Sequence, residues 1–233
     1  RRVEVESAYA VDGRVATFEL GAYDTALPLV IDPIFQFSTV IGTTASDIVN
    51  AQVLDAAGNV YIVGLTNLAT FPTGGTSTTF GTNGGQEAFA AKLTPDLSTL
   101  LYSVILASSS TDSAIAASIQ PYVWDFGPVV LQPGTTQLDI LGTTLTSNFP
   151  VCTGFGLPFA TCTGAAFDTT FNGSTDYFVA RLNASGTGLL GSTYLGGTSG
   201  ELGVGGIDTY ANGDVWVVGS TGSTNYPFLN PFS

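Results

Sequence analysis

The sequence predicts an all-β protein built from tandem four-stranded units. Three observations lead to this prediction: an internal repeat, short apolar runs separated by turns, and an aromatic–proline pair that appears three times. The runs alternate or are β-branched, and Gly, Asn, Asp and Pro bound them, which is typical of strands rather than of helices. No amphipathic helix is predicted in the 233 residues.

The internal repeat is clearest around two tight turns. Residues 55–64 recur as residues 209–219, and residues 137–142 keep the second half of the same block. The turns at Gly58 and Gly213 are predicted to be hairpins, because Gly and its neighbour Asn tolerate a positive φ. An aromatic–proline pair follows each copy at nearly equal spacing: Phe71-Pro72, Phe149-Pro150 and Tyr226-Pro227. Three equivalent units are therefore expected.

Each full unit is expected to hold four strands, labelled a to d in chain order. In the first full unit they are expected near residues 48–54, 60–65, 88–93 and 100–106. Residues 176–182 and 189–195 repeat strands c and d. Tandem four-stranded antiparallel units are typical of propeller blades. The predicted fold class is therefore all-β, with four-stranded antiparallel blades of β-propeller type and about three blade equivalents.

The chain is expected to form a single β-propeller-like repeat domain, residues 1–233, that begins and ends out of phase with the blades. Residues 1–40 are expected to supply N-terminal strands c and d, near 15–20 and 29–39. The remaining parts are unit 1 at 41–106, unit 2 with insertions at 107–195, and a partial unit 3 at 196–233. Unpaired edge strands invite further pairing. Two explanations stay open: the chain is a fragment of a larger propeller, or the a–b half of one subunit is completed by the c–d half of the next.

These motifs resemble the SBBP-type bacterial β-propeller repeat family. The resemblance rests on the Ser-Thr-Tyr-Leu-Gly-Gly run at 192–197, the two turn blocks, the aromatic–proline pairs, and the strand blocks 87–93 and 176–182. Residues 28–33 are similar to the lead-in that precedes such repeats, so the resemblance covers most of 28–233. It implies propeller blades in a large secreted or surface bacterial protein, and it implies little about activity.

Composition excludes several classes of function. The net charge is −13 with five basic residues, and nucleic acid is a poor partner because phosphate binding needs clustered Lys and Arg. Histidine is absent from the sequence, which excludes Ser-His-Asp and Cys-His catalysis and the commonest zinc and copper ligand. The sequence contains no run of about 18 apolar residues, so no membrane-spanning helix is predicted. Asp55 and Asp214 are candidate calcium ligands, but the same residues suit hairpin turns and no calcium-loop motif is present.

Two insertions in unit 2 are the candidate places for added function. The first surrounds residues 121–127, between strands a and b, and its Tyr122, Trp124 and Phe126 are candidate contacts for a protein or glycan partner, with packing on the blade edge as the alternative. The second, between strands b and c, holds Cys152 and Cys162, whose spacing suits a local disulfide in an oxidising compartment, with free thiols as the alternative. The two insertions are expected on opposite faces.

The predicted function is that of a non-catalytic extracellular or cell-surface structural subunit. It is expected to self-associate, as a homo-oligomer or a head-to-tail filament, by half-blade completion. The alternative is a cell-surface binding module or adhesin that recognises glycan or protein through the insertions. An enzyme such as a glycosidase or lyase ranks third, because no carboxylate pair stands in a recognisable motif. No catalytic residue, cofactor or metal ligand is assigned.

Overall fold

The structure is a computed structural model, and it describes residues 3, 5–12, 15–30, 37–67, 71, 75–82, 84–108, 126–131, 135–152, 162, 166–210 and 212–227. The chain divides into two compact units, Arg1–Gln36 and Phe37–Ser233. Every regular element among the described residues is a strand, so the all-β prediction is confirmed. The same residues contain no helix that is long and apolar enough to cross a membrane.

The first unit contains an antiparallel hairpin. Strand β1 (Ser7–Asp12) pairs with β2 (Val15–Leu20), and Ser7 lies opposite Leu20. Strand β2 was predicted and β1 was not, although the Asp-Gly dipeptide at 12–13 is a strong hairpin signal. The strand d expected near 29–39 is not found at 29–30 or 37–39, and 31–36 lie outside the described residues.

The first sheet of the second unit contains the four predicted strands in order. They are β3 (Asp47–Leu54), β4 (Val60–Thr66), β6 (Glu87–Leu93) and β7 (Leu100–Ala107), each antiparallel to the next. The turn between β3 and β4 places Gly58 at a φ of 81°, as the hairpin prediction requires. A fifth strand that was not predicted, β5 (Thr76–Gly81), runs parallel to the outer edge of β7.

Two more sheets follow along the chain. The second is β8 (Phe126–Leu131), β9 (Leu138–Thr144), β10 (Asp176–Leu182) and β11 (Leu189–Leu195), paired in chain order. The third holds β12 (Glu201–Thr209) and β13 (Val215–Thr221). The first strands of the three sheets are neighbours, because β8 packs against both β3 and β12. The three sheets therefore lie side by side in chain order.

The position predicted for the first insertion is wrong. Strand β8 pairs with β9 and is therefore strand a of the second sheet, so the insertion precedes strand a rather than following it. The start of β8 (Phe126) lies opposite Gly142, and the start of β10 (Asp176) lies opposite Thr144, at the same end of β9. The two insertions therefore join the second sheet at the same end, not at opposite ends.

The apolar core explains the aromatic residue of the first two aromatic–proline pairs. Phe71 stacks on Phe89 of β6 at a ring separation of 4.1 Å, and Phe149 stacks on Phe178 of β10 at 4.2 Å. Each aromatic ring thus covers the phenylalanine of strand c in its own sheet. One buried cluster joins the facing sides of the first and second sheets, and a second cluster covers the other side of the first sheet.

Candidate assembly surface

One position of strand b has a different environment in each sheet. It is Tyr61 in β4, Asp139 in β9 and Trp216 in β13, by the register of the ladders. The relative exposure of Tyr61 and of Asp139 is 0%, whereas Trp216 is 61% exposed. Two residues further along, Val63 is 0% exposed and Val218 is 70% exposed. The face of the third sheet that carries Trp216 and Val218 is thus exposed, whereas the equivalent face of the first sheet is buried.

Hydrogen bonding shows which side of the third sheet is uncovered. Thr209 is buried, and its hydroxyl donates to Asp139 Oδ2 of the second sheet at 2.7 Å. Because successive residues of a strand point to opposite faces, Asp208 points away from the second sheet. Asp208 lies opposite Trp216 in the ladder, and the Tyr210 and Trp216 ring centres are 5.8 Å apart. We call this surface the open face; it comprises Asp208, Tyr210, Trp216 and Val218.

In the first sheet the corresponding face carries a cation. Lys92 Nζ lies 3.2 Å from Asp55 Oδ2 and 4.6 Å from the centre of the Tyr61 ring. The Tyr61 hydroxyl donates to Asp55 Oδ2 at 3.1 Å, and the backbone N–H of Asn59 donates to Oδ1 at 2.9 Å. Burial raises the pKa of Asp55, but hydrogen bonds from Asn59, Lys92 and Tyr61 outweigh it and lower the pKa to about 2. Asp55 therefore stabilises the β3–β4 turn and pairs with the Lys92 ammonium group.

In the second sheet an ion pair replaces the aromatic contact. Arg181 Nε lies 2.6 Å from Asp139 Oδ1, and Arg181 Nη2 lies 2.8 Å from Oδ2, which is bidentate geometry. Arg181 Nη2 also donates to the carbonyl of Gly213 at 3.0 Å. Because Gly213 belongs to the β12–β13 turn, the cation of strand c in the second sheet helps to hold the third sheet in place. The Asp139 carboxylate raises the pKa of Arg181.

A buried pair of acids lies where the second and third sheets meet. Asp176 opens β10, Glu201 opens β12, and their exposed fractions are 0% and 2%. Asp176 Oδ1 and Glu201 Oε2 have no hydrogen-bond donor within the described part of the chain. A Cβ on Gly196 would lie 2.5 Å from Asp176 Oδ1 and 2.9 Å from Glu201 Oε2, so both oxygens crowd the same glycine. Burial and the nearby Glu201 charge raise the pKa of Asp176 to about 6, although the Asn172 N–H opposes them.

The corresponding acid of the first sheet is fully paired. Glu87 opens β6 and lies opposite Thr66, as Asp176 lies opposite Thr144. Its Oε1 accepts from the backbone N–H groups of Gly84 and Gly85 at 2.6 and 3.0 Å, and its Oε2 accepts from Ser108 N–H at 3.1 Å. Its carboxylate is therefore stabilised by donors that Asp176 Oδ1 lacks. Among the described ranges no group of three or more His, Cys, Asp or Glu side chains could hold a metal ion.

The structure contains the predicted disulfide. Cys152 and Cys162 are joined with an S–S distance of 2.07 Å and belong to the cluster between the first two sheets. The backbone N–H of Cys152 donates to the carbonyl of Ser192 in β11, which ties the start of the loop to the second sheet. Tyr122 and Trp124 lie outside the described residues, and Phe126 is described only as the first backbone position of β8. Their predicted partner role stays a prediction.

Comparison with known proteins assigns no family. No protein-family model matches the chain. No curated protein matches it. By its fold it is an all-β protein whose antiparallel and mixed sheets lie side by side, and in the described part of the chain Trp216 and Val218 of the last sheet are 61% and 70% exposed.

Proposed function

We propose that the protein is a non-catalytic extracellular structural subunit that assembles head to tail, with the third sheet of one copy completed and covered by the next copy. The observation that carries this proposal is the exposure of Trp216 and Val218 at positions that are buried in the first sheet. A disulfide agrees with an oxidising, extracellular compartment. The resemblance to SBBP-type repeats supports a surface role.

In this proposal the sheets are blades of a β-propeller. Three features support it: four antiparallel strands in chain order in two sheets, first strands that lie side by side, and a repeated face-to-face contact between successive sheets. The second sheet covers the Tyr61 face of the first, and the third covers the Asp139 face of the second. A following unit would cover the Trp216 face in the same way.

The third sheet lacks two kinds of contact that the first two possess. Among the described residues it has strands a and b only, so the outer edge of β13 has no strand beside it. Covering Trp216 and Val218 is worth on the order of 4 kcal/mol. Association itself costs at least about 4 kcal/mol, so backbone pairing along β13 has to contribute as well. We therefore propose that the N-terminal strands of a second copy pair with β13.

The far end of the sheet series offers a different surface. Val49 and Leu54 lie on the face of β3 that points away from the second sheet, and they are 49% and 60% exposed. A contact between this end and the open face joins two different surfaces, which is a heterologous contact. Such contacts give rings when the rotation closes and filaments when it does not.

Mass measurement in solution tests the proposal. The wild-type chain is expected to associate as its concentration rises, as measured by light scattering after size-exclusion chromatography or by sedimentation. Val218→Lys on β13 is expected to shift it to monomer. The matched control is Phe167→Lys, because Phe167 is 72% exposed and lies in the second sheet's connection. A wild-type chain that stays monomeric at every concentration, or a V218K chain that associates like F167K, would disprove the proposal.

A further inference from the structure

The third sheet is held on the second by polar contacts. In the described part of the chain, neither buried apolar cluster contains a residue of β12 or β13. From residue 201 onward, the described side chains that are buried are all polar: Glu201, Thr209 and Ser223. The contacts with the second sheet include the Tyr177 hydroxyl, which donates to the carbonyl of Ser220 at 2.6 Å and accepts from its N–H at 2.9 Å. Because few buried apolar contacts mark a segment that opens easily, the third sheet is expected to separate from the second before the other sheets unfold.

The acid pair Asp176 and Glu201 lies at the joint between these two sheets. Asp176 begins β10 of the second sheet, and Glu201 begins β12 of the third. Glu201 Oε1 accepts from the Thr221 hydroxyl at 2.9 Å and from the Ser223 hydroxyl at 2.8 Å, which fixes it to the end of β13. The backbone N–H of Glu201 donates to the carbonyl of Thr175, next to Asp176, at 3.0 Å. Charge on the pair therefore acts directly across the contact between the sheets.

The described groups around the pair leave its charge uncompensated. Three tyrosines lie within electrostatic reach of it, on β10, on β11 and after β13: Tyr177, Tyr194 and Tyr226. Burial raises the pKa of all three, to about 12 for Tyr194 and Tyr226, so their hydroxyls stay neutral. Asp168, which also faces Tyr194, is a further acid. The two described ion pairs engage Lys92 and Arg181 with other carboxylates.

We propose that Asp176 and Glu201 form a pH-sensitive latch, in which a proton shared by the two carboxyl groups holds the third sheet on the second and its loss releases that sheet. With the proton bound, one orphaned oxygen donates to the other and both are satisfied. Without it, two buried carboxylate oxygens lack a donor and repel each other. The latch goes beyond the proposed assembly, and it bears on assembly because the open face belongs to the third sheet.

The direction of the pH response follows from proton binding. With the third sheet docked, the pKa of Asp176 is about 6, against an ordinary value of 3.8. The docked form therefore binds the proton more tightly, so docking is strengthened as the pH falls through about 6 and weakened as it rises. Between pH values near 5 and near 7.5, these two pKa values change the docking equilibrium about tenfold.

Hydrogen–deuterium exchange of the full-length chain tests the latch. Protection factors of the wild-type β12–β13 amides, corrected for the intrinsic exchange rate at each pH, are expected to be about tenfold higher near pH 5 than near pH 7.5. They are also expected to be lower than those of the slowest amides in β4 and β6. Asp176→Asn and Glu201→Gln each place an amide donor in the pair, and both variants are expected to give equal protection at the two pH values.

The matched control is Asp96→Asn, which removes an exposed charge from the β6–β7 turn. Hydrogen bonds from Thr94 and Ser98 lower the pKa of Asp96, so it stays ionised at both pH values. This variant is expected to keep the tenfold response of the wild type.

The outcomes separate the latch from the proposed assembly. Equal wild-type protection at the two pH values, or an unchanged tenfold response in D176N, overturns the latch. So does protection of β12–β13 equal to that of the slowest first-sheet amides, because the third sheet would then open only with the whole protein. Calcium that restores full protection near pH 7.5 in the wild type but not in D176N also overturns it, since a cation would then take the place of the proton. The expected exchange result in a chain that stays monomeric at every concentration supports the latch and disproves the assembly.

Discussion

Replacing Asp176 with asparagine is expected to stabilise the protein at neutral pH and to leave its stability unchanged in acid. Asp176 is buried beside Glu201, and its pKa rises from 3.8 to about 6 in the folded protein. A raised carboxyl pKa means that folding favours the protonated form. The stability from this group is therefore fully present below about pH 4 and is lost as the pH rises through about 6.

The size of the effect follows from the shift. Each pKa unit corresponds to 1.36 kcal/mol, so two units give an upper limit of about 3 kcal/mol at neutral pH. An asparagine at 176 resembles the protonated acid, because its amide can donate to Glu201 Oε2. We therefore expect Asp176→Asn to exceed the wild type by about 2 to 3 kcal/mol at pH near 7.5 and to equal it near pH 4.

Urea unfolding of both proteins at the two pH values, followed by tryptophan fluorescence, measures this difference. The wild-type-minus-variant difference cancels the titrating groups that do not interact with Asp176, so it reports on the Asp176–Glu201 pair. Asp208→Asn is the control, because it removes the same charge from β12 at an exposed position. An equal difference at both pH values would refute the argument. So would a calcium-dependent stabilisation of the wild type that the variant lacks, because a cation would then neutralise the pair.

Three further outcomes are expected from the packing. Gly196→Ala would place a Cβ 2.5 Å from Asp176 Cγ and is expected to cost at least about 2 kcal/mol in urea unfolding, whereas Gly191→Ala, with no atom within 4 Å, is expected to cost less than about 0.5 kcal/mol. Arg181→Met leaves the Asp139 carboxylate buried without its cation and is expected to lower the free energy of unfolding by about 3 kcal/mol. Adding Asp139→Asn is expected to restore part of this loss, and equal losses in the single and double variants would contradict this. Reducing the disulfide is expected to cost about 2 to 3 kcal/mol, seen as a lower melting temperature in dithiothreitol, and an unchanged melting temperature would show that the loop is not a stabilising constraint.

The cations of strand c illustrate how a repeat conserves a role while changing its chemistry. Lys92 and Arg181 occupy one position, but Lys92 meets a ring and its own sheet's turn, whereas Arg181 meets a carboxylate and the turn of the next sheet. A point charge suits the first site, and the planar guanidinium suits the bidentate second site. The exchange of Lys92 for arginine is therefore not expected to be neutral.

The strands were predictable where a local signal marked both ends. The turn residues around Gly58 and Gly213 bounded strands a and b, and alternating apolar residues marked strands c and d. Strand a of the second sheet was expected before the insertion at residues 121–127, whereas β8 follows it, because the inserted residues lengthen the spacing from which the strand positions were counted. Strand β5 was missed because it pairs in parallel with β7, which lies further along the chain, so no tight turn next to β5 predicts the pairing.

The amino-acid sequence by itself determined the all-β class, the order of strands a to d in the first sheet and the turn chemistry, because these depend on residues close together in the chain. The tertiary structure alone decided which faces are buried. Tyr61 and Trp216 occupy equivalent strand positions, yet Tyr61 is buried against the second sheet and Trp216 is 61% exposed. It likewise brought Asp176 and Glu201 together across a sheet boundary. Burial and pairing of this kind depend on contacts between distant segments, which no local pattern specifies.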